Sequence, residues 1–430
     1  MIQRSWISDL GGLIDQEVVI KGWVHRLRAL ANSTFVLVKD CTGLVQCVGA
    51  TGETADVRLS LDDAIEVRGT VRKDERSKTG YEVHIGSITV MNRAANPLPF
   101  NSSGDLKAVG SESLLDYRPL ALRNEWFGGI FQLQAGILRF LREFLIQNHF
   151  TEIVTSKIVA SGTEGGTNLF EIKYFERMAY LAQSPQFYKE HGVAGFERVF
   201  ETAHVYRAEP HASSRHLTEY YSLDLEMGFI SGPEDVIQIE RELLTSIFAG
   251  LNREYGDVLK RHGVGPLPSM LAVPIWEFDD CLERLRSKFN RTDLVDDLDP
   301  EGERQLCRIV AEETGVSAVF VLGYPLSARP FYTHPRGTSG GASSFDLLFN
   351  GVEITTGGQR LHRREDLAQA LTARGIDPAN FEPHLRMFDV GMPPHGGFAI
   401  GLERLTSQVL GIPNIRNATL YPRDRYRVTP

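Results

Sequence analysis

The sequence predicts two folds in series: an all-β barrel over residues 1–100 and a larger α+β domain over 125–430, joined by a hinge over 101–124. Three observations carry this. VVIKGWVHRLRAL, STFVLVKDCTGLVQCVGA, AIEVRGTVRKD and YEVHIGSITVMNRA alternate apolar and polar residues, with turn signals at Cys41-Thr42-Gly43 and Lys78-Thr79-Gly80. FERVFETAHVYRAEPHASSRHLTEYYSLDLEMGF, residues 196–229, reads as a hairpin of two strand-like runs. GGFAIGLERLTSQVLGIPNIRNATLYPR, residues 396–423, runs a Gly-flanked apolar strand into an amphipathic helix starting near Leu402.

Five short strands in the first hundred residues suggest an OB-fold barrel, a shape that binds single-stranded nucleic acid by stacking bases on exposed aromatics. From Asn96 to Asn124 the chain is rich in Pro, Ser, Gly and Asn, as a linker is. A helix follows from about Glu125 to Asn148, its apolar residues Ile130, Leu133, Ile137, Phe140, Leu141, Phe144 and Leu145 at helical spacing, and then a strand, FTEIVTSKIV. SGTEGGTNLF places Gly162, Gly165 and Gly166 around Glu164, a loop able to move as a lid. AYLAQSPQFYKE presents Gln186 and Lys189.

The hairpin crowds Arg207, Glu209, Arg215, His216, Glu219, Asp224 and Glu226 together. Strand pairing would line cations and carboxylates along one wall, and burying them unpartnered costs about several kcal/mol, so a polyanion bearing an amine is the natural occupant. The alternative is a surface hairpin laced with salt bridges. Two further segments favour the site. DLLFNGVEITTGGQRLH offers Asp346, Glu353, Thr356 and Arg360 on a strand before a Gly-Gly turn, hard oxygen ligands beside a fixed cation. Arg404 falls in the first turn of its helix, where a cation is disfavoured by the dipole and is expected to serve a ligand. Residues 230–345 say less: a helix from about Pro233 to Gly256, an acidic stretch NRTDLVDDLDPEGE, a helix LCRIVAEETG and a buried strand VSAVFVLGYP, with His334 and Arg336 after it as candidate substrate-facing residues.

Composition sets the class. No apolar run reaches bilayer length and no signal peptide is evident, so a cytoplasmic protein without membrane contact is expected. Cys41, Cys47, Cys281 and Cys307 show no CxxC pairing, which favours reduced thiols over zinc or disulfides. The net charge is -9, yet residues 1–100 hold 12 Lys+Arg against 12 Asp+Glu, so the acidic excess lies wholly in the rest. A nucleic acid would have to be held by local patches.

VYRAE, RHLTEY, GVEITTGGQR and GLERL, in this order, resemble motifs 2 and 3 and the intervening strand of class II aminoacyl-tRNA synthetases, in detail the aspartyl-tRNA synthetases. No room exists for the large insertion that bacterial-type members carry before motif 3, so the resemblance is to the compact archaeal or eukaryotic type. It implies a mainly antiparallel sheet flanked by helices, with motif 1 at about 140–160, motif 2 at about 196–229 and motif 3 at about 396–423. It implies a homodimer through motif 1, although Ser156 stands where the family usually has proline. The implied activity joins L-aspartate to tRNA through an aspartyl-adenylate, with ATP as substrate and Mg2+ as cofactor.

By the same resemblance Arg207, Arg404 and Glu353 are catalytic. Glu164, Gln186, Lys189, Arg207, Asp224, Thr356 and Arg360 bind aspartate: Lys189 and Arg360 around its side-chain carboxylate, Asp224 and Glu164 at its ammonium. ATP would meet Arg207, Ala208, Glu209, Arg215, His216, Leu217, Tyr220, Glu353, Gly401, Leu402, Glu403 and Arg404. Glu353, Thr356 and Asp346 would hold magnesium, Thr356 replacing the usual serine. In the barrel, the anticodon-binding residues would be His25, Arg26, Arg28, Phe35, Gln46 and Lys78. Members strict for tRNA(Asp) tend to have tryptophan at the place of His25 and lysine at that of Lys78, whereas members that also charge tRNA(Asn) tend to have histidine and proline. This chain mixes the two, and the expectation is the relaxed form. The rivals are a strict tRNA(Asp) enzyme, an asparaginyl-tRNA synthetase, a non-enzymatic tRNA-binding module and an amide ligase making free asparagine.

Overall fold

The computed structural model describes residues 3–50, 57–162, 169–210, 213–337 and 340–430. It divides into two compact units, Met1–Gly128 and Gly129–Pro430.

In the first unit five strands close a barrel: β1 (Glu17–Ala29), β2 (Ser33–Lys39), β3 (Leu44–Ala50), β4 (Ala64–Lys73) and β5 (Tyr81–Asn92), in the order β1-β2-β3-β5-β4. The alternation in the sequence becomes alternation of burial. Every second residue of β2 and β3 points inward, so Val36, Val38, Val45 and Cys47 join Ile20, Val24, Ile65, Val67, Val71 and Val83 in a closed core. The expected hinge is not a bare linker. Residues 111–116 and 118–121 are helical, Ser102 donates to the buried Asp62, and the Asn124 amide donates to Ser102 O and Gly104 O, so the segment folds with the barrel.

The second unit is built on an eight-stranded, mainly antiparallel sheet. Its strands are β6 (Thr151–Glu152), β7 (Arg198–Tyr206), β8 (Glu219–Gly228), β9 (Ile275–Glu277), β10 (Ala318–Leu322), β11 (Ser344–Phe349), β12 (Val352–Gln359) and β13 (His395–Gly401). Their order is β9-β10-β11-β12-β13-β8-β7-β6, parallel only at the two ends. Helices α1 (Glu125–Gln147), α2 (Gln186–Phe196), α3 (Pro233–Glu254), α4 (Pro300–Thr314) and α5 (Leu402–Leu410) accompany it. Of these, α3 buries Val236, Ile237, Leu243, Leu244, Ile247, Phe248 and Leu251, the apolar stripe its sequence spacing provides. None of the described helices is long and apolar enough to cross a membrane.

The single strand expected for FTEIVTSKIV is broken. Thr151–Glu152 pairs in the main sheet and Ile158–Val159 in a separate three-stranded one. Glu201 explains the break: its carboxylate is buried on β7 and takes hydrogen bonds from Thr155 N (2.7 Å) and Thr155 Oγ1 (2.8 Å) and an ion pair from Lys157 (2.8 Å). Satisfying a buried charge pulls the intervening residues out of the ladder.

Candidate active site

A row of residues in cross-strand register forms the floor. Asp346 on β11 pairs with Thr356 on β12, Thr356 with Ala399 on β13, Ala399 with Asp224 on β8, and Asp224 with Glu201 on β7. Residues so paired share one face. The next row is Ser344, Gly358, Gly397, Glu226 and Val199. Its glycines are required by close approach: a Cβ on Gly397 would lie 2.0 Å from Leu225 O, and one on Gly358 2.5 Å from Ser343 O. Gly357 and Gly358 therefore lie inside β12, not in the turn the sequence suggested.

Over this floor α2 brings Lys189, whose Nζ is 3.2 Å from Asp224 Oδ1 and 3.4 Å from Glu226 Oε2. Arg360, just past β12, sets Nε 3.1 Å from Glu226 Oε1 and donates through Nη2 to Gly397 O (3.0 Å). The second oxygen of Asp224 accepts from Ser222 Oγ (2.5 Å). All four charged groups are buried.

Two chambers open on the floor. One, of about 710 Å³, is lined by Arg207, Glu209, Arg215, His216, Leu217, Tyr220, Glu353, Gly401, Glu403 and Arg404. The other, of about 960 Å³, is lined by Gln186, Lys189, Asp224, Arg329, Tyr332 and Arg360 among others. Arg207, Tyr220, Ser222, Glu353, Thr356 and Ala399 belong to both. Arg207 follows β7 directly, its N–H bonded to Thr218 O and its guanidinium 5.8 Å over the Tyr220 ring. Arg404, in the first turn of α5, donates to Glu353 O (3.0 Å) and lies 3.6 Å from the Glu353 carboxylate. Ala208 and Leu402 are not among the residues that line either chamber.

The family model for class II tRNA synthetases (D, K and N) matches residues 110–425, and that of the OB-fold nucleic acid binding domain matches residues 18–91. The chain belongs to the class II tRNA synthetases. It is 42% identical over 428 residues to the aspartate--tRNA(Asp/Asn) ligase of Thermus thermophilus, covering 99% of this chain and 100% of that one. Identity to the ligase of the same name from Deinococcus radiodurans is 43% over 436 residues, covering 100% and 99%. Among solved structures, the asparaginyl-tRNA synthetase of Pyrococcus horikoshii complexed with asparaginyl-adenylate superposes with a TM-score of 0.89 at 28% identity, with full coverage of both chains.

In this class II synthetase the carboxylates between the chambers are unevenly placed. Glu353 Oε1 accepts from Thr356 Oγ1 (2.9 Å), and desolvation together with the charge of Asp346 pushes its pKa above the ordinary carboxylate range. Asp346, expected as a free oxygen ligand, instead takes a two-pronged fork from Arg329 (3.1 and 2.7 Å). Among the described residues no group of three or more His, Cys, Asp or Glu is arranged to hold a metal. Glu403 is buried and accepts from Tyr221 N, and its desolvation raises its pKa to about 7.

Sequence reasoning missed Arg329, Glu303 and Ser222. Ser222 was within reach, lying two residues before Asp224 on the same strand face. Glu303, on α4, accepts from Arg215 (2.6 Å) and from Glu353 N (3.3 Å), contacts that no local pattern announces. Arg336 is tied to Glu277 and Glu234, His334 lies beside His362, and neither residue lines the chambers. Glu164 lies outside the described residues.

On the barrel, register sets Arg26, Leu37 and Gln46 in one row and Arg28, Phe35 and Val48 in the next. Four of the six expected anticodon residues thus share an outer face. Phe35 is half-buried and stands apart from the barrel core. Gln46 donates to Glu82 (2.9 Å). Lys78 is exposed in the β4–β5 turn. His25 differs: it sits at a β-bulge between Val24 and Arg26 and is only 8% exposed, with burial lowering its pKa. A buried ring is not the open hydrogen-bonding group expected of a base reader.

Proposed function

We propose that this synthetase joins L-aspartate to tRNA in two steps, through an aspartyl-adenylate, and that it accepts tRNA(Asn) as well as tRNA(Asp). The observation that carries this reading is the pair of chambers with a common wall at Arg207, Glu353 and Thr356: a nucleotide in one and a small amino acid in the other would meet there. The α-carboxylate attacks the α-phosphorus in line and pyrophosphate leaves, and the terminal ribose hydroxyl of tRNA then attacks the adenylate. No protein nucleophile is required; catalysis is positioning and charge neutralisation. Arg207 clamps the α-phosphate and carboxylate, Arg404 and Tyr220 enclose adenine, Arg215 and His216 meet the outer phosphates, and Glu209 reads the adenine amino group.

Charge counting needs a correction. Asp224 and Glu226 already balance Lys189 and Arg360, and the Lys189 ammonium is engaged by Asp224, Glu226 and Phe398 O. Recognition of the substrate carboxylate therefore rests on Arg360, whose Nη1 makes no hydrogen bond among the described residues. A carboxylate offers Arg360 an acceptor through either oxygen and adds opposite charge, whereas an asparagine amide is neutral and can meet it through one oxygen only, its N–H2 then lying near a cation, a mismatch that discriminates in a desolvated site.

Glu353 and Thr356 offer adjacent hard oxygens at the common wall, and a carboxyl whose pKa is raised by desolvation and by the neighbouring Asp346 carboxylate suits a cation. They would hold magnesium, joined by Asp346 if Arg329 yields it; when bound, the ion neutralises charge on the phosphates. Relaxed tRNA choice draws its support from the Thermus and Deinococcus relatives and not from His25. The enzyme works as a homodimer in the cytoplasm.

Pyrophosphate exchange driven by aspartate, set against asparagine, tests the first step. Asparagine as the better substrate would instead make this an asparaginyl-tRNA synthetase. Charging purified tRNA(Asp) and tRNA(Asn) transcripts side by side tests the second step, and no aspartate on tRNA(Asn) would end the relaxed reading.

A further inference from the structure

Helix α2 carries a second buried cluster that no step above uses. Glu190, next to Lys189, is fully buried. Its Oε1 accepts a 2.7 Å hydrogen bond from Gln186 Nε2, four residues back on the same helix face. Its Oε2 lies 3.6 Å from His395 Nε2 and 3.9 Å from His384 Nε2.

The partners dictate where the protons are. His395 Nδ1 is 2.9 Å from Pro393 O, and a carbonyl only accepts, so Nδ1 is protonated. Nε2 of the same ring faces the Glu190 carboxylate, whose charge favours a proton there. Burial opposes both charges of this pair, yet mutual attraction prevails: Glu190 falls to about 2 and His395 rises above its ordinary value. His384 Nδ1 is 2.8 Å from His191 Nε2. A neutral His384 accepts there and keeps its proton on Nε2 toward Glu190, in keeping with burial lowering His191 and taking His384 down to about 4. Glu190 is thus held as an acceptor-only carboxylate.

An acceptor-only partner fixes the sense of an amide. With its nitrogen committed to Glu190, Gln186 has its carbonyl oxygen left for the chamber that it lines, and that oxygen has no other hydrogen-bond partner among the described residues. We infer that Glu190 is a positioning residue for the amino-acid chamber, holding the Gln186 amide so that its oxygen meets the substrate's α-ammonium. This rests on the proposed function. Without Glu190 the amide could turn, presenting N–H to an ammonium.

A double-mutant cycle in pyrophosphate exchange decides the matter. Glu190→Met should raise KM for the amino acid about tenfold, as expected for losing one hydrogen bond to a charged group, with KM for ATP unchanged. Gln186→Met should do the same, and the double variant should be no worse than either alone. Glu190→Gln is no longer acceptor-only: its oxygen is drawn to His395 and His384 and its N–H2 is turned toward Gln186, so it should raise KM for the amino acid by a comparable factor. Additive effects, a fall in kcat with KM unchanged, or a wild-type KM in Glu190→Gln would overturn the inference. If Glu190→Met does not fold, the Glu190→Gln result decides alone. Wild-type preference for aspartate tests the underlying reading separately. Were asparagine preferred, the same KM ratios would be taken with asparagine, because both substrates carry the ammonium.

Discussion

Lys189 and Arg360 hold the same carboxylate, Glu226, through different oxygens, at 3.4 and 3.1 Å. Two cations from distant segments are thereby set at a fixed separation before any ligand enters. Arg360→Lys keeps the charge but loses the planar fork that reaches Glu226, Gly397 O and a substrate together. Aspartate-dependent exchange should fall about a hundredfold in kcat/KM with KM for ATP unaltered, the size expected for losing charge-assisted bonds at a specificity site.

Arg329 and Asp346 form a buried fork beside Glu353, the two side chains 10% and 7% exposed. Arg329→Met leaves Asp346 facing another carboxylate with its countercharge gone, a loss of about 3 kcal/mol or more. In thermal melts without divalent cations the variant should unfold well below wild type. Added Mg2+ should raise its Tm more than that of wild type, since the metal then supplies the missing positive charge. Equal magnesium shifts in the two proteins would rule out Asp346 as a ligand.

Glu403 gives a pH signature. Its pKa is about 7 in the folded chain against 4.5 ordinarily, so the native state holds the proton more tightly than the unfolded one. The resulting stabilisation is complete below the unfolded value and is lost as pH rises through about 7. Glu403→Gln stays neutral and still accepts from Tyr221 N. It should melt near the wild-type temperature at about pH 5 and a few degrees above it at about pH 8.

Phe35 and Gln46 sit in adjacent rows of one barrel face. Phe35→Ala should raise KM for tRNA about tenfold, within the range for one lost base stack, while leaving aspartate-dependent exchange at the wild-type rate. An equal fall in both assays would mean that the substitution damages the fold instead of the RNA contact.

The barrel was legible because its strands are half-buried, and half-burial writes itself as alternation. The hairpin was legible for a different reason: charges at Arg207, Asp224 and Glu226 inside strand-like runs conflict with an ordinary core and so mark a site. What stayed hidden was satisfaction at a distance. Arg329 reaches Asp346 across 17 positions and Arg215 reaches Glu303 across 88, and nothing local records either pairing. The break in FTEIVTSKIV was hidden likewise, because its cause, Glu201, lies on another strand. His25 was named as an anticodon residue by resemblance alone, and no local pattern announces the β-bulge at which it lies buried.

The bare backbone at Gly358 and Gly397, one row on from the chamber-lining Thr356, Ala399 and Asp224, cannot be altered. Any side chain introduced there collides with main-chain oxygens, so a new substrate preference has to be engineered from residues that reach in from α2 and from the chain beyond β12. Directed evolution of this synthetase should accordingly accumulate changes around Gln186, Lys189 and Arg360 and leave both glycines untouched.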